Sequence, residues 1–196
     1  QSIIPGHGDM AAMHIPDGFV DLPIAALCGV LSVAVLAVAA RRVDGEVPDA
    51  RAPLLGVVAA GIFAAQMLNW PIPGGTSAHF VGGSFAAIML GPHLGALAVA
   101  TVVAIQALVF GDGGLVVLGA NVFNMAIVQV YVGYAIYRLV APYGEFRAAF
   151  VAGWLGITAG ALTAGLQLGF SSAFDSVGLR TAATLESTPP LSPHTT

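Results

Sequence analysis

Residues 22–40 read LPIAALCGVLSVAVLAVAA, a run without one charged side chain. A helix of about 20 apolar residues spans the hydrocarbon core of a bilayer. Working outward, comparable runs fall at 53–70, 93–110, 115–140 and 148–170, with a shorter one at 79–90. The whole chain of 196 residues is 57% hydrophobic and only 8% charged. Its mean hydropathy is +0.88. A soluble domain carries about 25% charged residues, so this chain lacks the charge to cover a water-facing surface. Backbone polar groups in lipid must be satisfied within each segment, which selects helices. The sequence therefore predicts an all-α membrane protein: a polytopic bundle of about six transmembrane helices, one of them short. Its parts are a polar extension over 1–12, a transmembrane domain over 13–170, and a Pro-, Ser- and Thr-rich tail over 171–196 that reads as disordered.

Composition also excludes several classes. There is no lysine, the net charge is −4, and no basic patch exists for nucleic acid. Cys28 is the single cysteine, so no intrachain disulfide or cysteine zinc site can form. No HExxH, P-loop or GxSxG motif occurs, so the chain is not read as an enzyme. Arg41, Arg42 and Arg51 follow the first run, and Arg138 and Arg147 separate the last two. With six crossings these loops share a side, and the positive-inside rule makes it cytoplasmic. The outer side then receives the N-terminal segment, the loop after the second run and the Gly111–Gly114 turn. This assignment depends on the short 79–90 segment crossing.

The segment at 69–79, NWPIPGGTSAH, interrupts two apolar runs with prolines, glycines and one histidine. A second short stretch, MHIPDG at 13–18, has similar character. His14 and His79 thus each sit in a turn-rich loop on the predicted outer side. Imidazole is the commonest metal-ligand side chain, so the pair is a candidate ligand set, against hydrogen-bonded structural histidines. His7, His93 and His194 read as incidental. Asp17-Gly18 and Asp112-Gly113 are turn pairs, or carboxylates that attract a metal. Gln66, Asn69, Gln106, Asn121, Asn124, Gln129 and Gln167 lie within the spans. Polar groups there face the bundle interior, where they link helices or orient a metal-bound loop. Asn121 and Asn124, three apart, share a helix face. Gly153, Gly156, Gly160 and Ala164 recur at helical spacing, as tight packing or as a surface that slides on a partner.

Four blocks in order, MHIPDGF (13–19), PIPGGTSAHFVGG (71–83), QALVFGDGG (106–114) and LGANVFNMA (118–126), resemble the signature segments of the CbiM/NikM family. Its members are substrate-binding membrane subunits of cobalt and nickel energy-coupling factor transporters. The resemblance runs from Met13 to about Phe170. It implies that Ni2+ or Co2+ is the transported substrate, with no organic cofactor. The implied ligands are the amine of the opening methionine, the amide and imidazole of the next histidine, and the loop histidine: here Met13, His14 and His79. A nearly planar nitrogen set suits Ni(II). Asp17, Asn69, Thr76, Ser77, Gln106, Asp112, Asn121 and Asn124 are the expected supporting or loop-positioning residues. Implied partners are a transmembrane coupling subunit and two cytoplasmic ATPases, with a small accessory membrane subunit as a further candidate. The implied location is the prokaryotic cell membrane.

Two features depart from the family pattern. Twelve residues precede Met13, which makes its nitrogen an amide; the expectation is a functional chain that begins at Met13 or a leader foreign to it, with an altered site as the alternative. A polar tail also stands where the family carries a further span. The alternatives are a relative that keeps the fold without transport, and an intramembrane metalloenzyme using His14 and His79 with Asp17 or Asp112.

Overall fold

The computed structural model describes residues 14–43, 51–72 and 76–174, without the side chains at 51, 52, 69–78 and 174. The polar extension over 1–12, Met13, His7, His194 and most of the expected tail lie outside the described residues. Among the described residues six helices form the bundle: α1 (Leu22–Val43), α2 (Arg51–Gln66), α3 (Gly83–Leu90), α4 (Pro92–Val109), α5 (Leu118–Tyr143) and α6 (Glu145–Gly169). Helices α1, α4, α5 and α6 are long and apolar enough to cross a membrane. The chain is a multi-pass helical membrane protein.

Large apolar side chains point outward along the bundle, with Phe146, Phe150, Trp154 and Val33 among the exposed ones. On a soluble monomer that much contiguous apolar surface would mark an interface. In lipid it is the ordinary solvent-facing side. Lipid tails offer no hydrophobic drive for helix association, so close packing and polar contacts must hold the helices together. Gly29 of α1 and Gly119 of α5 bring their backbones together so closely that a Cβ on Gly119 would clash with Gly29. Ser32 Oγ donates to the Gly119 carbonyl at 2.9 Å in the same contact. Of the glycine series on α6, Gly156 meets Ser84 and Gly160 meets the Asn124 carbonyl, whereas Gly153 opens onto free space. The first two are packing positions.

Three elements differ from the sequence expectation. The 69–79 segment forms an antiparallel ribbon, β1 (Asn69–Ile72) with β2 (Thr76–His79), in which Asn69 pairs with His79 and Ile72 with Thr76. Proline bars helix here, and the two extended halves satisfy each other's backbone groups. The fold is thus an all-α bundle with one small β-ribbon. Helix α3 starts at Gly83, not His79, because Gly82 takes a left-handed φ of 82°. Helix α5 begins at Leu118 instead of 115 because the preceding N–H groups bond to Asp17. Within α5, Phe123–Val128 is a π-helical turn.

Arg41 and Arg42 close α1, Arg51 opens α2, Arg138 lies near the end of α5 and Arg147 near the start of α6. All five therefore sit at one end of the antiparallel bundle. At the opposite end the finish of α6 is tied to the start of α1. Ser171 Oγ accepts the Asp21 N–H at 3.2 Å, and Ser172 donates to the Asp21 carboxylate through both N–H and hydroxyl. Described order continues through the 3-10 turn Ser172–Phe174, past the boundary at 170 that composition suggests.

Overpacking a close backbone contact costs about 1–3 kcal/mol. Gly119→Leu is therefore expected to lower the detergent-solubilised melting temperature by several degrees, whereas Gly153→Leu leaves it unchanged. Thermal unfolding followed by circular dichroism checks both.

Candidate metal site

Three segments converge at the end of the bundle opposite the arginines. The first is the arm His14–Asp17. Asn121 of α5 grips its backbone at two points: the Ile15 N–H donates to Oδ1 at 3.1 Å, and Nδ2 donates to the Ile15 carbonyl at 3.0 Å. The Gly114 N–H donates to the same carbonyl at 3.0 Å. Asp17 accepts the N–H groups of Leu115, Val116 and Val117. A carboxylate is favourable there, just ahead of the positive end of the α5 dipole. Asp17 thus joins the arm to the head of α5, and its turn geometry and loop-positioning role are one and the same.

The second segment is the turn after α4. The Gln106 carbonyl takes the N–H of both Phe110 and Asp112, and Gly111, at φ 66°, reverses the chain. Gly113, at φ 90°, lies against His14, where an added Cβ would come within 2.7 Å of His14 Cβ. Only glycine lets the turn close over the imidazole. His14 is consequently buried, at 6% exposure. Its Nδ1 lies 3.3 Å from an Asp112 carboxylate oxygen. Its Nε2 has no hydrogen-bond partner among the described residues. A buried polar atom left that way costs about 1–3 kcal/mol, a cost usually retained for a reason.

The third segment carries His79 at the end of β2. Its Nδ1 lies 3.0 Å from the Phe80 carbonyl. A carbonyl only accepts, so Nδ1 holds the proton and Nε2 is the basic nitrogen. The two imidazoles meet edge to face, with centroids 5.5 Å apart and an interplanar angle of 68°. Two imidazoles on one ion, with metal–nitrogen bonds of about 2.0–2.1 Å, place their centroids about 4.5 Å apart at right angles and about 6.4 Å apart when opposite. The observed separation falls between these limits. Among the described residues no group of three His, Cys, Asp or Glu side chains has metal-holding spacing.

The other expected positions are placed as follows. Asn69, Thr76 and Ser77 lie on the ribbon, and their side chains are outside the described residues. The Gln106 side chain is fully buried, and neither of its amide atoms has a hydrogen-bond partner among the described residues. Asn124 exchanges two hydrogen bonds of 2.9 Å with Gln167 of α6. Gln167 also approaches Cys28 Sγ at 3.5 Å, linking three helices. His93 sits at the arginine end, 2.9 Å from Tyr131 Oη, apart from the other two rings. Beside His79 lies a cavity of about 180 Å³, lined also by Ile15, Asn121, Asn124 and Gln129. Sequence reasoning did not place Gln66 and Gln129 at this site. Both are amides in apolar helices, which is a signal for burial but not for location.

The fold defines a multi-pass helical membrane protein with two histidine rings in contact at one end of its bundle. Comparison with known proteins narrows that class. Residues 14–190 match the sequence profile of the "Cobalt uptake substrate-specific transmembrane region", and the chain belongs to that family. A provisionally named metal transport protein of Haloquadratum walsbyi is 59% identical over 162 residues, 83% of this chain and 74% of that one. A provisionally named fused nickel transport protein of Archaeoglobus fulgidus is also 59% identical over 162 residues; the chain spans only 54% of its length. The crystal structure of a truncated transition metal transporter superposes with a TM-score of 0.76 at 40% identity, over 80% of this chain and 74% of that one.

Asn121→Leu removes both bonds to Ile15: the Ile15 N–H loses its acceptor, and the carbonyl keeps only the Gly114 N–H. At about 1–3 kcal/mol for the buried N–H left unpaired, the arm is expected to detach before the bundle unfolds. Limited proteolysis should then cut near Ile15 in the variant while α4 and α5 stay protected; equal resistance in both proteins would refute the clamp.

Proposed function

We propose that this chain is the substrate-binding component of an ATP-driven uptake transporter of the energy-coupling factor type, taking up nickel or cobalt. The observation that carries the reading is the edge-to-face approach of His14 and His79 at 5.5 Å, with neither ring nitrogen of the buried His14, the chelating Nδ1 included, in a hydrogen bond among the described residues. Neutral imidazole nitrogens favour late first-row divalent ions over magnesium or calcium. The ligand set is Met13, His14 and His79. His14 contributes its backbone nitrogen as well as its ring, and chelation of that kind closes through Nδ1, the atom now facing Asp112. The histidine end of the bundle faces outward, since the five described arginines occupy the opposite end and basic residues stay cytoplasmic. Capture therefore occurs on the outer face.

This chain carries no nucleotide-binding motif, so the energy for inward release comes from elsewhere. A transmembrane coupling subunit and two cytoplasmic ATPases would supply it, with a small accessory membrane subunit alongside. The names of the relatives support metal uptake, and one of them joins a nickel transport segment to further chain in a single polypeptide.

Native mass spectrometry of the detergent-purified protein loaded with Ni(II) or Co(II) tests the reading. One ion per chain is expected. His14→Ala and His79→Ala should each weaken binding by about 100-fold or more, equivalent to at least about 2.7 kcal/mol. Retention of one ion by the double variant would contradict the site, and a wild-type chain that takes neither ion would favour a relative that keeps the fold without transport.

A further inference from the structure

We propose that Gln129 is a positioning residue for the metal site, holding the arm that carries His79 as Asn121 holds the arm that carries His14. The inference rests on the metal-capture reading above. It begins from the link Phe80–Gly83, which leaves the ribbon and enters α3. Extended backbone inside a membrane bundle needs partners for each polar group. Two buried glutamines from different helices provide them. Gln66 of α2 donates Nε2 to the Val81 carbonyl at 2.6 Å, and Gln129 of α5 accepts the Gly83 N–H on Oε1 at 3.0 Å. Gly83 lies so close to α5 that a Cβ would come within 2.5 Å of Gln129 Oε1 and 2.8 Å of the Met125 carbonyl. The link is seated in a notch, not draped over a surface.

The π-helical turn gives this arrangement its phase. Asn121 precedes Phe123–Val128 and Gln129 follows it. In an unbroken α-helix, residues eight apart point about 80° from each other. A π-turn absorbs one extra residue and brings them to within about 20°. Consistent with that, Asn121 and Gln129 line the same cavity with Ile15 and His79. One helix face therefore holds both histidine arms, and the π-turn sets the spacing between the grips.

Gln129→Met keeps the shape and removes the acceptor, whereas Gln129→Glu keeps an acceptor oxygen whatever its protonation state. Two readings are taken on detergent-purified protein: amide hydrogen exchange over residues 79–83 without metal, and Ni(II) affinity. Loss of one buried hydrogen bond corresponds to about tenfold in an equilibrium. Gln129→Met is expected to speed exchange in the link about tenfold, to leave α4 unchanged, and to weaken Ni(II) binding about tenfold. Gln129→Glu should restore both. Unchanged exchange in the link, exchange raised equally in α4, or a loosened link with unchanged Ni(II) affinity would each overturn the proposal. If the wild-type chain takes no Ni(II), the capture reading fails by itself, and exchange still decides whether Gln129 holds the arm.

Discussion

The constraint on which the rest depends is that two stretches of non-helical backbone pack against apolar helices, where each buried polar group needs a partner from the protein. An unmet backbone group costs several kcal/mol in hydrocarbon. Both stretches carry a histidine, and both are answered by side-chain amides from the helices. Asn121 meets Ile15 on both its backbone groups, Gln66 meets Val81, and Gln129 meets Gly83. The site is consequently built on the bundle. Its loops are short, and the groups that hold them project from elements that cannot move independently.

Packing and polarity share the work of holding that bundle. Apolar area contributes little to helix association in lipid, so the exposed phenylalanines of α6 say where the membrane is and not what stabilises the fold. Stability comes instead from glycine notches such as Gly29 against Gly119 and from amide pairs such as Asn124 with Gln167, each worth about 1 kcal/mol. The same notches admit the two arms: Gly113 yields space to His14 and Gly83 to Gln129. Small residues here let a polar site sit inside an apolar protein.

Much of this was legible in the sequence, and for physical reasons. Charge scarcity and run length predict helices, and each of the six described ones starts or ends within a few residues of an apolar run. The arginines predict a common end, and the structure groups them. The proline-rich 69–79 segment signals an irregular element, but its pairing into a ribbon depends on a register that composition does not encode. Gln129 illustrates the deeper limit. Counted along an α-helix it points about 80° away from the direction of Asn121, and only the π-turn, which composition does not signal, brings the two onto one face. Asp17 is the converse case, since a turn aspartate near a histidine reads equally as metal-attracting or structural. Three N–H bonds to the head of α5 show its structural work.

The central claim is that nitrogen atoms from two clamped arms hold the cargo ion. X-ray absorption at the nickel K-edge of the Ni(II)-loaded protein tests it most directly. The account predicts a short shell of nitrogen scatterers, an outer pattern from two imidazole rings, and the pre-edge feature of planar coordination. A six-coordinate oxygen shell, or scattering from one imidazole or none, would contradict it.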